Sequence, residues 1–209
     1  MARIAPMMRR LLAFCFALLA IAPALAQTPA EAPPAAPDPR VLLDTSAGPV
    51  TVTVHLARAP ITAANFLRYA REKRFDGATI YRAYGAADYG FIQGGPSNEP
   101  SRILPPIAHE PTTQTGLVHD DGALSMARWA PGTATGDFFI VMGRMMAMDA
   151  QPDAPGDNAG FAVFAHVTEG MDVVRAMVAS PRSATRGAGA MKGQMLEEPV
   201  VIRSARILP

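Results

Sequence analysis

Val41-Leu42-Leu43-Asp44-Thr45-Ser46-Ala47-Gly48-Pro49-Val50-Thr51-Val52-Thr53-Val54-His55-Leu56 is the stretch on which the fold turns. Its second half alternates strictly: Val50, Val52, Val54 and Leu56 fall on one face, Thr51, Thr53 and His55 on the other. A period of two marks a half-buried β-strand. Ser46-Ala47-Gly48-Pro49 is turn chemistry, so the flanking apolar runs are expected to pair as a hairpin.

Outward from the hairpin the period changes. Pro60 suits the first turn of a helix, and Ala63, Phe66, Leu67 and Ala70 recur at i, i+3, i+4 and i+7, opposite Arg68, Arg71 and Glu72. An amphipathic helix laid on a sheet is expected there. Short apolar runs follow at 79–84, 90–93, 123–127, 138–141 and 161–167, separated by loops rich in Gly, Pro and Asp. Met171–Ala179 reads as a second helix with Met171, Val174 and Val178 inward, and 200–208 as a closing strand. The expected fold is mainly β, with about eight antiparallel strands closed into a barrel, because closure removes exposed edges, and two helices.

The 209 residues suit one domain with appendages. A hydrophobic content of 49% supplies a core, and 18% charged residues are too few for a disordered chain. The net charge of +1 argues against binding nucleic acid by neutralising phosphates. One cysteine, Cys15, excludes a disulfide framework and a cysteine-built zinc site. Arginine makes up 17 of the 19 basic residues, which points to a GC-rich bacterial coding background.

Residues 1–26 read as a signal peptide: Arg3, Arg9 and Arg10, the apolar run 11–25, then Ala24-Leu25-Ala26 as a small-x-small cleavage site. Cleavage after Ala26 is expected, because the run is short for a membrane span of about 20 residues and contains Pro23. An uncleaved anchor is the alternative. Phe14 before Cys15 argues against lipidation. Removing Arg3, Arg9 and Arg10 from the 19 basic residues leaves 16 against 18 acidic, a net of −2, and no cysteine remains for thiol catalysis. Residues 27–39 form a Pro/Ala-rich linker, and 40–209 the folded domain. An exported, periplasmic protein is expected.

Four blocks in fixed order resemble the cyclophilin family of peptidyl-prolyl isomerases. They are Pro60-Ile-Thr-Ala-Ala-Asn-Phe66; Tyr81-Arg82 with Gly90-Phe-Ile-Gln-Gly-Gly95; Gly122-Ala-Leu-Ser-Met-Ala127 through Gly136-Asp-Phe-Phe-Ile140; and Phe161-Ala-Val-Phe164 with Glu169-Gly-Met-Asp-Val-Val174. The resemblance implies a closed eight-stranded antiparallel barrel capped by two α-helices. It also implies cis/trans isomerisation of X-Pro bonds, without cofactor or metal. Arg82 matches the family's catalytic arginine. Substrate contacts are implied for Gln93, Ala127, Arg128, Phe139 at the base of the proline pocket, Phe161 as a wall, and Phe91. The implied partners are proline-containing segments of unfolded or folding proteins, met by a monomer with no nucleic-acid partner and no membrane span in the mature chain.

The chain also diverges. The segment 83–89 reads as a loop about three residues longer than usual. Asp137 stands where a glutamine is usual, Ala147 where a tryptophan supports cyclosporin binding, and Phe161 where a histidine lines the pocket. Residues 150–159 form an acidic insertion with Asp153 and Asp157.

Other chemistries fit less well. His55, His109, His119 and His166 lack a compact metal-ligand spacing, and Ser125 is not in a GxSxG elbow. The Gly187-Ala-Gly-Ala-Met run does not join a strand to a helix, and Met145, Met146 and Met148 suit core packing better than copper. The main rival is a weakly active or inactive binding module on the same barrel, a chaperone or assembly factor that holds proline segments.

Overall fold

The computed structural model describes residues 37–86, 88–96 and 99–209. The expected signal peptide and nearly all of the expected linker lie outside these residues. Eight strands, β1 (Arg40–Thr45), β2 (Gly48–Val54), β3 (Thr79–Ala86), β4 (Tyr89–Gly95), β5 (Ala123–Met126), β6 (Phe138–Met142), β7 (Ala162–Glu169) and β8 (Met195–Ile207), close into a barrel. The order around it is β1-β2-β7-β5-β6-β4-β3-β8, and every pairing is antiparallel.

The opening hairpin forms as its alternation requires, with Leu43 opposite Val50 and Val41 opposite Val52. Val50, Val52 and Val54 are buried; Leu56 is exposed because β2 ends at Val54 and the chain turns. Helix α1 (Pro60–Arg71) begins at the proline and buries Ala63, Phe66, Leu67 and Ala70. Its Phe66 ring lies 4.9 Å from Phe164, 5.2 Å from Phe75 and edge-on at 5.8 Å to Phe138, at distances that favour aromatic pairs.

No side chain next to Pro60 caps α1. The buried carboxylate of Glu110 does so from afar, accepting from the backbone N–H groups of Ile61 (3.2 Å) and Thr62 (2.7 Å) and from the Thr62 hydroxyl (2.7 Å). An anion there satisfies orphan amides and complements the helix dipole.

Two helices were expected, and the described residues contain three α-helices. Helix α3 (Met171–Ala179) has the expected bounds, and the extra α2 (Thr112–Thr115) is a single turn closed by Gly116 at φ +66°. A turn of four residues has no hydrophobic period by which to announce itself. Of the expected loop 83–89, residues 83–86 and 89 lie in strands: β3 and β4 extend their ladder, pairing Tyr84 with Phe91 and Ala86 with Tyr89.

A chain of polar groups, buried at its inner end, reaches Ser125 on β5. The Asp149 Oδ1 accepts from His119 Nδ1 (2.7 Å), whose Nε2 lies 2.9 Å from the Ser125 hydroxyl, and Arg144 also bonds Asp149. The order Asp–His–Ser is that of a nucleophilic triad, but His119 and Ser125 are both fully buried, so no substrate reaches them. Burial pushes the His119 imidazole below its usual value, against the opposing pull of Asp149. Burial acts on Asp149 in the raising direction, yet its bonds to Arg144 and His119 hold it below the usual carboxylate range.

The native state therefore binds fewer protons at His119 than the unfolded chain does. Stability is full above about pH 6.5 and declines as pH falls through the window between the unfolded and folded histidine values. Asp149 adds a second loss below its own usual value. Urea denaturation across pH should show the first decline in the wild type and a flatter profile in His119→Gln.

Candidate active site

One ladder row crosses four strands. Arg82 on β3 pairs with Met195 on β8 and with Gln93 on β4, and Gln93 pairs with Phe139 on β6. Directly opposed residues share a face, so all four side chains line one cavity of about 990 Å³. The adjacent phenylalanines divide between the two sides of the sheet. Phe138 packs against Phe66, and Phe139 faces the cavity.

β3 departs from simple alternation. Against β4, the two steps from Ile80 to Arg82 face the single step from Gly94 to Gln93, which is a β-bulge at Tyr81; against β8 the register also shifts here, with the extra residues on β8. Ile80 and Ala83 are buried inward, while the consecutive Tyr81 and Arg82 both line the cavity. A bulge re-aims one side chain in this way. Across from it, a Cβ on Gly94 would lie 2.8 Å from the Ile80 Cα, so only glycine permits that strand approach. Gly95 sits at φ +146°, and its Cβ would come 2.3 Å from Asp137 Oδ1. The second glycine thus makes room for a carboxylate that accepts from the Tyr81 hydroxyl at 2.6 Å.

The Arg82 guanidinium is held on three sides. Nη1 donates to Gln93 Oε1 at 2.8 Å; Nε and Nη2 donate to Gln194 Oε1 at 2.9 and 2.6 Å; the Phe91 ring lies 5.0 Å below its carbon. Partial burial lowers the Arg82 pKa, but a guanidinium stays charged at neutral pH.

Phe91, expected to meet substrate, is not among the cavity-lining residues. It supports Arg82 from beneath, stacks on Tyr84 and meets Phe139 edge-on at 5.1 Å. Phe139 in turn meets Phe161 edge-on at 5.3 Å, and both line the cavity with Ala127.

Arg128 reaches the cavity, but its guanidinium is committed elsewhere. It makes two bonds to Asp157 (2.7 and 2.9 Å), donates to the Gly160 carbonyl (2.8 Å) and lies 5.2 Å over the Phe161 ring. Asp157 is held below the usual carboxylate range by that bond. The acidic insertion thus clamps Arg128 and braces the wall formed by Phe161.

Three features of the site were not drawn from the sequence: Trp129 and the wall made by Ala188–Met191 with its single turn of 3-10 helix, which line the cavity, and Gln194, which reaches it only through Arg82. Trp129 is the chain's one tryptophan and is 86% exposed, which singles it out only once the cavity beside it is visible. Gln194 had no local signal, since its partner lies 112 residues away. His55 and His166 bond each other at 2.9 Å, whereas Met145 and Met148 are buried in the core. Among the described residues no group of three or more His, Cys, Asp or Glu side chains is placed to hold a metal ion.

The family described as cyclophilin type peptidyl-prolyl cis-trans isomerase/CLD matches residues 40–207, nearly the whole barrel domain. This chain belongs to the cyclophilin family. The peptidyl-prolyl cis-trans isomerase cyp18 of Streptomyces antibioticus is 37% identical over 172 residues, covering 80% of this chain and 98% of the relative. A peptidyl-prolyl cis-trans isomerase of Acinetobacter baylyi is 31% identical and covers 96% of both chains. Peptidyl-prolyl cis-trans isomerase B of Escherichia coli is 31% identical over 80% of this chain and 98% of its own. The fold is shared with a cyclophilin type isomerase of Cryptosporidium parvum, at TM-score 0.63 and 18% identity over 82% of this chain and 98% of that structure.

Within this cyclophilin barrel, Phe91 and Phe161 have different duties. Phe91→Ala removes a buried ring and should cost about 3–5 kcal/mol of stability. It should also lower isomerase activity, by freeing Arg82. Phe161→Ala, at the cavity surface, should cost less stability and chiefly weaken peptide binding. Urea denaturation and peptide titration of the two variants check the contrast.

Proposed function

We propose that this cyclophilin accelerates rotation about X-Pro bonds in exported proteins, with Arg82 as its catalytic residue. The carrying observation is a charged guanidinium fixed in the row that also holds Gln93 and Phe139. Conjugation gives the planar amide a barrier of about 18–20 kcal/mol and spreads the prolyl nitrogen's lone pair into the carbonyl. Rotation returns that lone pair to nitrogen, which then accepts a hydrogen bond. A cationic donor beside it therefore favours the twisted state over both planar ones.

The other groups position the substrate. Gln93 spends its carbonyl oxygen on Arg82, which sets the carboxamide's orientation and leaves the Nε2 hydrogens as donors for a substrate carbonyl. Phe139 and Phe161 present apolar rings that take the proline. The enzyme acts as a monomer on extended segments, with no cofactor. Among the described residues no helix is long and apolar enough to cross a membrane.

Export rests on the leader and the Pro/Ala-rich linker, read from sequence. Slow prolyl steps delay folding after translocation, so an isomerase in the periplasm has clients there. N-terminal sequencing of the protein recovered from a periplasmic fraction of a bacterial host should begin at Gln27; an intact Met1 in a membrane fraction would mean a retained anchor.

Arg82→Ala should lower kcat/KM for a proline-containing tetrapeptide by about 10²-fold or more, the usual effect of removing a transition-state donor. A rate unchanged by the substitution and close to the uncatalysed one would leave a proline-binding module in place of an enzyme.

A further inference from the structure

We propose that Gln194 is a positioning residue for Arg82, and that its electrical neutrality matters as much as its geometry. The inference rests on the reading of Arg82 as the catalytic group. Gln194 lies immediately before β8, in the segment between α3 and the last strand. Its Oε1 takes two hydrogen bonds from one edge of the guanidinium, Nε at 2.9 Å and Nη2 at 2.6 Å. Two bonds to one acceptor stop rotation about the Cδ–Nε bond.

Gln194 is itself held in place. Its Nε2 donates to the Ala190 carbonyl at 2.7 Å, its backbone N–H donates to Met191, and its own carbonyl accepts from the N–H of Ala83. The last bond ties it to the residue after Arg82. Orienter and arginine are therefore fixed to each other through both backbone and side chain.

Every side-chain hydrogen bond that Arg82 makes among the described residues goes to a carboxamide, either Gln93 or Gln194. A carboxylate in either place would hold the fork equally well, since it offers the same acceptors. It would also cancel the positive potential that the prolyl nitrogen meets in the twisted state, in a half-buried site where charges are weakly screened. Bidentate capture by a neutral oxygen orients the cation and leaves its charge for the substrate.

The remaining donors can be counted. The guanidinium has five N–H groups, of which three are engaged as above. One N–H remains on each terminal nitrogen for the substrate. Loss of Gln194 frees the Nε/Nη2 edge and lets the guanidinium turn on the Phe91 ring, away from the prolyl nitrogen.

The test is a cycle of variants in the whole protein: Gln194→Ala, Gln194→Glu, Arg82→Ala and the double Arg82→Ala/Gln194→Ala. Isomerisation of a proline tetrapeptide is followed by NMR exchange and peptide affinity by calorimetry. Gln194→Ala and Gln194→Glu should each lower kcat/KM about tenfold, as for misplacement or neutralisation of a reacting group, with peptide affinity within about twofold of wild type. In the Arg82→Ala background, Gln194→Ala should have no further effect, because an orienter without its arginine has nothing to orient.

Wild-type kcat/KM in either single Gln194 variant overturns the proposal. So does an additive loss in the double variant, which would mark Gln194 as merely structural. If Arg82→Ala keeps the wild-type rate, the reading of Arg82 fails by itself and the role of Gln194 falls with it.

Discussion

The site exists because β3 pairs with β8. Thr79 faces Val201, Ile80 faces Val200 and Arg82 faces Met195, joining residues more than a hundred positions apart and closing the barrel. Closing so long a loop costs entropy that grows slowly with length, and the apolar inner face of the strands offsets it. Without that closure Arg82 would have Gln93 on one side and solvent on the other. With it, β8 brings Gln194 and Met195 to the free edge of β3. The pairing that closes the barrel at this edge also completes the guanidinium's cradle.

The same dependence sets what could be read from the chain in advance. The opening hairpin, α1 and α3 were legible because their signals are local: a period of two, a period near 3.6, a proline at a helix start. Arg82, Gln93, Ala127, Phe139 and Phe161 were legible as a resemblance, and the structure gathers them around one cavity. The bulge at Tyr81 was not, because a register shift exists only relative to partner strands. Gln194 was invisible for the same reason. Phe91 looked like a pocket residue in sequence, yet the extra rungs of the β3–β4 hairpin set it against Tyr84 and under Arg82.

Two arginines reach the cavity, and their surroundings assign them opposite work. Arg128 meets the Asp157 carboxylate with two nitrogens, gives a third bond to a carbonyl and lies over Phe161. Its charge is matched, and what it contributes is shape: it holds the 150–159 segment against the Phe161 wall. Arg82 also lies over a ring and makes three bonds, but its acceptors are amides. The residue type is the same and the number of hydrogen bonds similar; the difference is a counter-ion.

That difference bears on which arginine can act on a prolyl nitrogen. Half-burial already weighs against the charged form of Arg82, as its lowered pKa records. A carboxylate partner would relieve that cost and would be the more stabilising choice for folding alone. Amides orient the group while leaving much of the desolvation cost unrelieved, so the charge is more exposed electrically than its burial would suggest. In the proposed reaction, a prolyl nitrogen whose lone pair localises on twisting supplies the missing interaction, and supplies it only in the twisted state. On the proposed reading of Arg82, selectivity for that state follows from leaving the arginine well placed and incompletely neutralised.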